Sequence, residues 1–204
     1  MNSHEIFVNK KLKKAASLIN PNSRVLDVGC WDGRIRGLLK NCRYYCVDIN
    51  KEQIINLKKQ GVKAEQIDLN KSKIPFNEKF DYILLLDILE HIVNPENLLQ
   101  ESKKHLNKNG KLLITLPNDY HILNKIRFLF NKNLTEDPFS PTGHLHCFPI
   151  SSGEDFLIKQ GFKIKMRITI APVKPKILPQ PIKNFLTKFS PQNFARDILY
   201  VLEV

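Results

Sequence analysis

Short apolar stretches rich in Val, Ile and Tyr alternate with stretches of helical period through the first 116 residues, and few folds accommodate that rhythm. Strands are predicted at 24–28, 44–49, 64–69, 82–87 and 111–116, with helix-patterned segments at 34–40, 51–60 and 95–106 between them. Such β-α-β-α order implies right-handed crossovers and a parallel sheet covered on both faces. The link between the third and fourth strands is short, contains a proline and gives the weakest helical signal. Ahead of the first strand, 5–19 reads as an amphipathic helix with Ile6, Leu12, Ala15, Ala16 and Ile19 roughly on one face, closed by Pro21-Asn22.

The second half changes character. Residues 117–149 hold four prolines and one helical stretch, 120–130. Regular structure resumes with a helix at 152–160, stopped by Gly161, and a strand at 162–169. A second irregular segment, 171–197, carries five prolines and a basic helical piece at 182–189, before a last strand at 198–204. The expected fold is α/β: a doubly wound sheet of seven strands, mostly parallel, with the last strand antiparallel. At 204 residues it fits one domain, with a leading helix in 1–20 and insertions at 117–149 and 171–197.

Composition closes off several classes. No run approaches the roughly 18 apolar residues of a membrane span, and Met1-Asn2-Ser3-His4-Glu5 opens no secretory signal, so a cytoplasmic protein is expected. Cys30, Cys42, Cys46 and Cys147 form no C-x-x-C pair, which argues for reduced thiols and against a structural metal. The net charge of +12 would suit nucleic acid or an anionic membrane, but the lysines are dispersed, with one tight cluster at Lys10-Lys11-Leu12-Lys13-Lys14. They read as a solvated surface.

The first strand runs into Val25-Leu26-Asp27-Val28-Gly29-Cys30-Trp31-Asp32-Gly33, a glycine-rich turn that lets a ligand approach backbone. Asp48 follows Asp27 by 21 positions and ends the second strand, where a carboxylate can accept both hydroxyls of a ribose. The G-x-x-x-G spacing differs from the G-x-G-x-x-G of dinucleotide folds, and no Gly-Lys-Ser/Thr follows to cradle a triphosphate. Asp27 puts negative charge where pyrophosphate would need the opposite, and a cationic sulfonium nucleoside, S-adenosylmethionine, fits instead. Taken singly, Asp27, Asp48 and Asp68 would be ordinary turn or capping acids. It is their joint placement at strand ends that points to a ligand.

With these residues the chain resembles the class I methyltransferases, whose first motif is an acidic residue and a glycine-rich turn. Further signposts are Asp48, Ile67-Asp68-Leu69, Asp87-Ile88-Leu89-Glu90-His91 and Leu106-Asn107-Lys108-Asn109-Gly110-Lys111. Within that class it looks closest to the type 11/type 23 small-molecule methyltransferases, MetW-like proteins included, through 87–95, Leu116-Pro117-Asn118 and Gly143-His144-Leu145-His146-Cys147-Phe148. The resemblance implies a Rossmann-like fold that binds S-adenosylmethionine through Asp27, Gly29, Cys30, Trp31, Gly33, Asp48, Ile49, Asp68, Leu69, Asp87 and Ile88. In that assignment Gly29 and Gly33 shape the loop under the methionine portion, Asp27 lies near its amino group, and Asp48 holds the ribose. Asp68 would meet the adenine amino group, Ile49 and Leu69 would sandwich the ring, and Asp87 with Ile88 would close the pocket. Trp31 departs from the pattern, standing where the family usually has glycine, and its ring is expected to point toward the substrate mouth.

Methyl transfer is an in-line displacement, so a base is needed only where the acceptor must lose a proton. His91, His144 and His146 are the candidate catalytic residues, each with an ordinary structural role as the alternative. Asp87-x-x-Glu90-His91 resembles the E-x-x-E-H string that holds a divalent ion in some methyltransferases, but Asp is shorter than Glu and no metal is assigned. The N-P-P-Y or D-P-P-Y tetrad of DNA and protein amide methyltransferases is missing, which favours a hydroxyl on a small molecule, a sugar or quinone-type precursor, and no DNA partner. Phe185, Leu186, Phe189 and Phe194 mix with Lys174, Lys176, Lys183 and Lys188, a combination suited to an amphiphilic or lipid-linked substrate or an anionic membrane. Two other readings remain open: a regulatory MetW-like partner of a metabolic enzyme, and an RNA methyltransferase, which the net charge and the D-x-x-E-H string favour and the dispersion of the lysines opposes.

Overall fold

The computed structural model describes residues 3–132, 143–172 and 179–204. Helix α1, Ser3–Ala16, precedes strand β1, Arg24–Val28. After β1 the chain forms a short 3-10 helix, Arg34–Leu38, and then β2, Arg43–Asp48; α2, Lys51–Lys59; and β3, Lys63–Gln66. Strand β4, Phe80–Leu86, leads through a 3-10 turn at Leu89–His91 into α3, Pro95–His105, and β5, Leu106–Pro117. Beyond lie α4, Ile122–Leu129; α5, Ile150–Lys159; β6, Lys163–Pro172; α6, Gln180–Phe189; α7, Pro191–Phe194; and β7, Ala195–Glu203.

These strands form one seven-stranded sheet in the order β3-β2-β1-β4-β5-β7-β6. The first five are parallel to their neighbours, while β7 runs antiparallel between β5 and β6. Fold class and strand count are therefore as the sequence predicts. The strand order reverses at β1, so the loops after β1 and β4 diverge and open a crevice at the carboxyl edge, where open α/β sheets bind ligands.

Alternation along the strands divides the core. Leu26, Val28, Ile83, Leu85, Leu112 and Ile114 face a layer holding Leu98 and Leu99 of α3 and Leu157 of α5. Val25, Leu84, Leu113 and Leu199 face the opposite way, with Ala15 of α1 and Ile54 and Leu57 of α2. Successive side chains of a strand point to opposite faces, so two helical layers follow from two interleaved apolar sets.

Two predicted helices need correction. The segment predicted at 34–40 is a 3-10 piece, because Gly33 enters it at φ 64 and Leu39 leaves in extended geometry. Between β3 and β4 no helix forms; Lys71 and Ser72 N–H groups donate to the Asp68 carbonyl in a turn. Parts of both predicted insertions, with Lys174 and Lys176, lie outside the described residues.

Candidate active site

The turn after β1 is held by the neighbouring strand. Gly29 and Cys30 N–H groups both donate to the Val47 carbonyl, at 2.9 and 3.2 Å. Gly29, Trp31 and Gly33 all take positive φ (76°, 50° and 64°), so the loop coils back on itself and leaves backbone facing the crevice. Asp48 fastens this coil: one carboxylate oxygen accepts from Trp31 N–H at 2.7 Å and the other from Asn50 N–H at 2.8 Å. A carboxylate has about four lone-pair directions, so two remain for hydroxyl groups of a ligand. The Trp31 ring is more than half exposed.

A crevice of about 470 Å³ opens beside the turn, within the size range of ligand pockets, roughly 300–1,000 Å³. Asp27, Gly29, Cys30, Trp31 and Asp87 line it, together with Lys11 from α1. Gly33, Asp48, Ile49, Asp68, Leu69 and Ile88 lie outside that lining. Ile49 is exposed at the rim, Asp68 pairs with Lys71 at 3.0 Å, and Leu69 packs against the core.

Asp27 sits deeper than its predicted role requires. Its carboxyl is buried and accepts from the Tyr44 hydroxyl at 2.6 Å. Burial pushes its pKa up to about 7 despite that bond, with Asp48 and Asp32 adding to the rise. It is a carboxyl poised between its neutral and charged forms rather than a standing anion.

Asp87, at the end of β4, has φ 56°. Its N–H donates to Thr115 Oγ1 at 2.7 Å, and that hydroxyl donates back to Asp87 Oδ1 at 2.6 Å. The Lys11 ammonium donates to both Asp87 oxygens and lies 3.0 Å from Asp197 on β7. Burial would raise the Asp87 carboxyl, but Lys11 and Thr115 hold it below the ordinary aspartate value; Asp197 is raised by burial. Lys11 is the one buried lysine or arginine among the described residues, against buried carboxyl groups at Asp27, Asp48, Glu90 and Asp197. The sequence gives no sign of this network, because Lys11 and Asp87 are 76 residues apart.

The histidines gather next to this acidic floor. Leu145 and His146 N–H groups donate to the Glu90 carbonyl at 2.8 and 3.3 Å, which brings the 143–146 strip against the turn after β4. His91 and His144 then meet edge to face, centroids 5.1 Å apart. His91 Nδ1 lies 3.3 Å from the Gly143 carbonyl, and His144 Nδ1 lies 3.5 Å from Asp119 Oδ1. His146 is turned the other way, its Nε2 2.9 Å from the Ile92 carbonyl. Glu90 is buried, and burial with the Asp87 charge pushes its pKa up to about 8, so it carries a proton at neutral pH. Ligand atoms of Glu90, His91 and His144 lie within 4.8 Å of one another, a set that could hold a divalent cation. Sequence alone does not single out Asp119, and only the D-x-x-E-H string points toward Glu90.

Comparison with known proteins agrees with this architecture. A methyltransferase-domain family matches residues 3–165. An uncharacterised protein of Methanocaldococcus jannaschii is 28% identical over 154 residues, 73% of this chain and 65% of that protein. A ubiquinone biosynthesis O-methyltransferase of Pelagibacter ubique is 30% identical over 105 residues, 48% of this chain and 43% of that protein. The chain thus spans about half to two thirds of the length of the curated relatives it matches. Among solved structures, an S-adenosylmethionine-dependent methyltransferase of Thermotoga maritima superposes with a TM-score of 0.67 at 15% identity, covering 98% of this chain and 93% of that one. The methyltransferase in a complex with the Trm112 activator of Haloferax volcanii gives 0.65 at 13% identity, covering 96% and 88%. With that family matched over residues 3–165, the chain belongs to the methyltransferase-domain family, and its fold is that of the S-adenosylmethionine-dependent methyltransferases on which it superposes.

Proposed function

We propose that this protein transfers a methyl group from S-adenosylmethionine to a hydroxyl of a small molecule. The observation that carries the first half is the make-up of the crevice: Lys11, its one buried ammonium, is shared between Asp87 and Asp197, Arg34 is paired with Asp32, and Asp27 adds a carboxyl that ionises near neutral pH. Such a floor suits a ligand with a sulfonium and an amine and opposes a pyrophosphate. Gly29 and Gly33 would underlie the methionine portion, Asp48 would receive the ribose hydroxyls, and Asp68 with Ile49 and Leu69 would meet the adenine. When bound, the sulfonium supplies the electrophilic methyl group.

The His91–His144 pair supports a hydroxyl acceptor. His144 Nδ1 lies 3.5 Å from Asp119 Oδ1, and in the tautomer with its proton on Nδ1 the ring would use Nε2 to take the proton of a hydroxyl. Asp119 would fix the ring, and neutral Glu90 would keep a second full negative charge away from Asp87. The weak kinship to ubiquinone biosynthesis O-methyltransferases agrees with a quinone-type phenol as the acceptor class.

The test is turnover on catechol- and dihydroxybenzoate-type acceptors, followed by mass spectrometry. His144→Asn should lower kcat by about 10²–10⁴-fold and leave calorimetric affinity for S-adenosylhomocysteine within about twofold of wild type. Unchanged kcat in that variant removes His144 as the base. Activity lost on chelation and restored by magnesium or manganese would reassign Glu90, His91 and His144 to a cation.

A further inference from the structure

Seven large apolar side chains on two helices stand in solvent. Phe128, Leu129 and Phe130, at the end of α4, are 75%, 82% and 73% exposed, and Ile126 joins them. On α6, Phe185 and Phe189 are 67% and 80% exposed, with Ile182 beside them. The Phe185 and Phe189 rings stack on each other, 6.2 Å between centroids. The two helices are linked through α7: Lys125 of α4 donates to Asn193 Oδ1 of α7 at 2.7 Å, and α7 follows directly on α6. Both lie at the carboxyl edge of the sheet: α4 follows the end of β5, and α6 with α7 fills the connection from β6 to β7. The crevice opens at the same edge.

Burying these side chains against the protein would have been favourable, and soluble surfaces rarely keep so many large apolar groups together. The charges around them indicate what covers them. Residues 120–132 and 180–196 hold six basic side chains, Lys125, Arg127, Lys132, Lys183, Lys188 and Arg196, and no Asp or Glu. A second copy of the same face would set six cations against six. A surface of negative charge over an apolar interior complements both features at once. We infer that the α4/α6 face docks on an anionic lipid bilayer, its aromatic side chains entering the boundary between headgroups and acyl chains and its cations lying against lipid phosphates. Among the described residues no helix is long and apolar enough to cross a membrane, so the contact is peripheral. Docking this way turns the crevice edge toward the lipid, whatever the acceptor is.

The experiment is co-sedimentation of the full chain with vesicles of phosphatidylcholine alone and of phosphatidylcholine mixed with phosphatidylglycerol. Sedimentation with the mixed vesicles, weakening as salt is raised, is expected. The triple variant Phe128→Ser/Phe185→Ser/Phe189→Ser should lower partitioning by more than about tenfold, and Lys183→Gln/Lys188→Gln by about fivefold per charge removed. Both variants leave the crevice lining untouched, so they should bind S-adenosylhomocysteine like wild type, which separates lost docking from lost folding. No preference for the anionic vesicles overturns the inference. So does a dimer, measured by light scattering, that the triple aromatic variant dissolves.

Discussion

At Gly29 a single hydrogen decides whether the loop can close. A methyl group there would come within 2.7 Å of Ile88 Cδ1, and the residue's φ of 76° suits glycine far better than alanine. Gly29→Ala should cost about 1–3 kcal/mol in chemical denaturation and weaken cofactor affinity by tenfold or more. Adding Ile88→Ala removes the collision but not the backbone strain, so the double variant should recover less than the full loss; complete recovery would mean the strain counts for nothing. This position was legible in the sequence because glycine leaves a chemical signature. Asp27 was legible as a candidate but not in its state, since the Tyr44 hydroxyl that caps it arrives from another strand. His144 was visible as a histidine, whereas Asp119 gained meaning only once the fold set it 3.5 Å away.

Among the elements, α1 reaches the crevice through Lys11. Lys11 carries its charge into the crevice, where burial would lower its pKa but Asp87 and Asp197 raise it. Removing one partner of a buried pair leaves the others uncompensated, and Lys11→Met should destabilise the protein by about 3–5 kcal/mol. Asp197→Asn in the same chain should restore part of that in urea melts. If Lys11→Met alone melts like wild type, the network is ornamental. Element order could be read from the sequence because strand and helix periods differ, and the apolar runs recur with them. Where the reading failed, local geometry prevailed: the left-handed Gly33 and the extended Leu39 leave no room for a full α-helix after β1. No periodicity encodes which distant acid will meet Lys11.

For the whole molecule, the acids of the crevice set a pH dependence. Asp27 titrates near 7 in the fold and near 3.8 in the unfolded chain, and Glu90 near 8 against 4.5. Between those values the folded protein holds protons the unfolded chain has lost, so stability falls as pH rises from about 4 to 8. Asp87 and Asp32 titrate below their ordinary values, so stability also falls as pH drops below about 4. Thermal melts should show a maximum near pH 4. A cationic cofactor meets more charge as Asp27 and Glu90 ionise, so calorimetric affinity for S-adenosylmethionine should rise from pH 6 to 8 by about threefold or more, while the uncharged thioether S-adenosylhomocysteine changes less. Equal slopes for the two would remove the electrostatic account of the crevice.

The position of β7 has a consequence for how the protein is made. Among the described residues β6 pairs with β7 alone, and β7 brings Asp197 to Lys11 of α1. On the ribosome the parallel half of the sheet can assemble as it emerges, but that edge and the anchor of α1 must wait until residue 197 and the strand around it have cleared the exit tunnel. Nascent chains arrested before that point would expose β5 as an open edge, and the competence to bind cofactor should appear only once the strand around residue 197 has emerged.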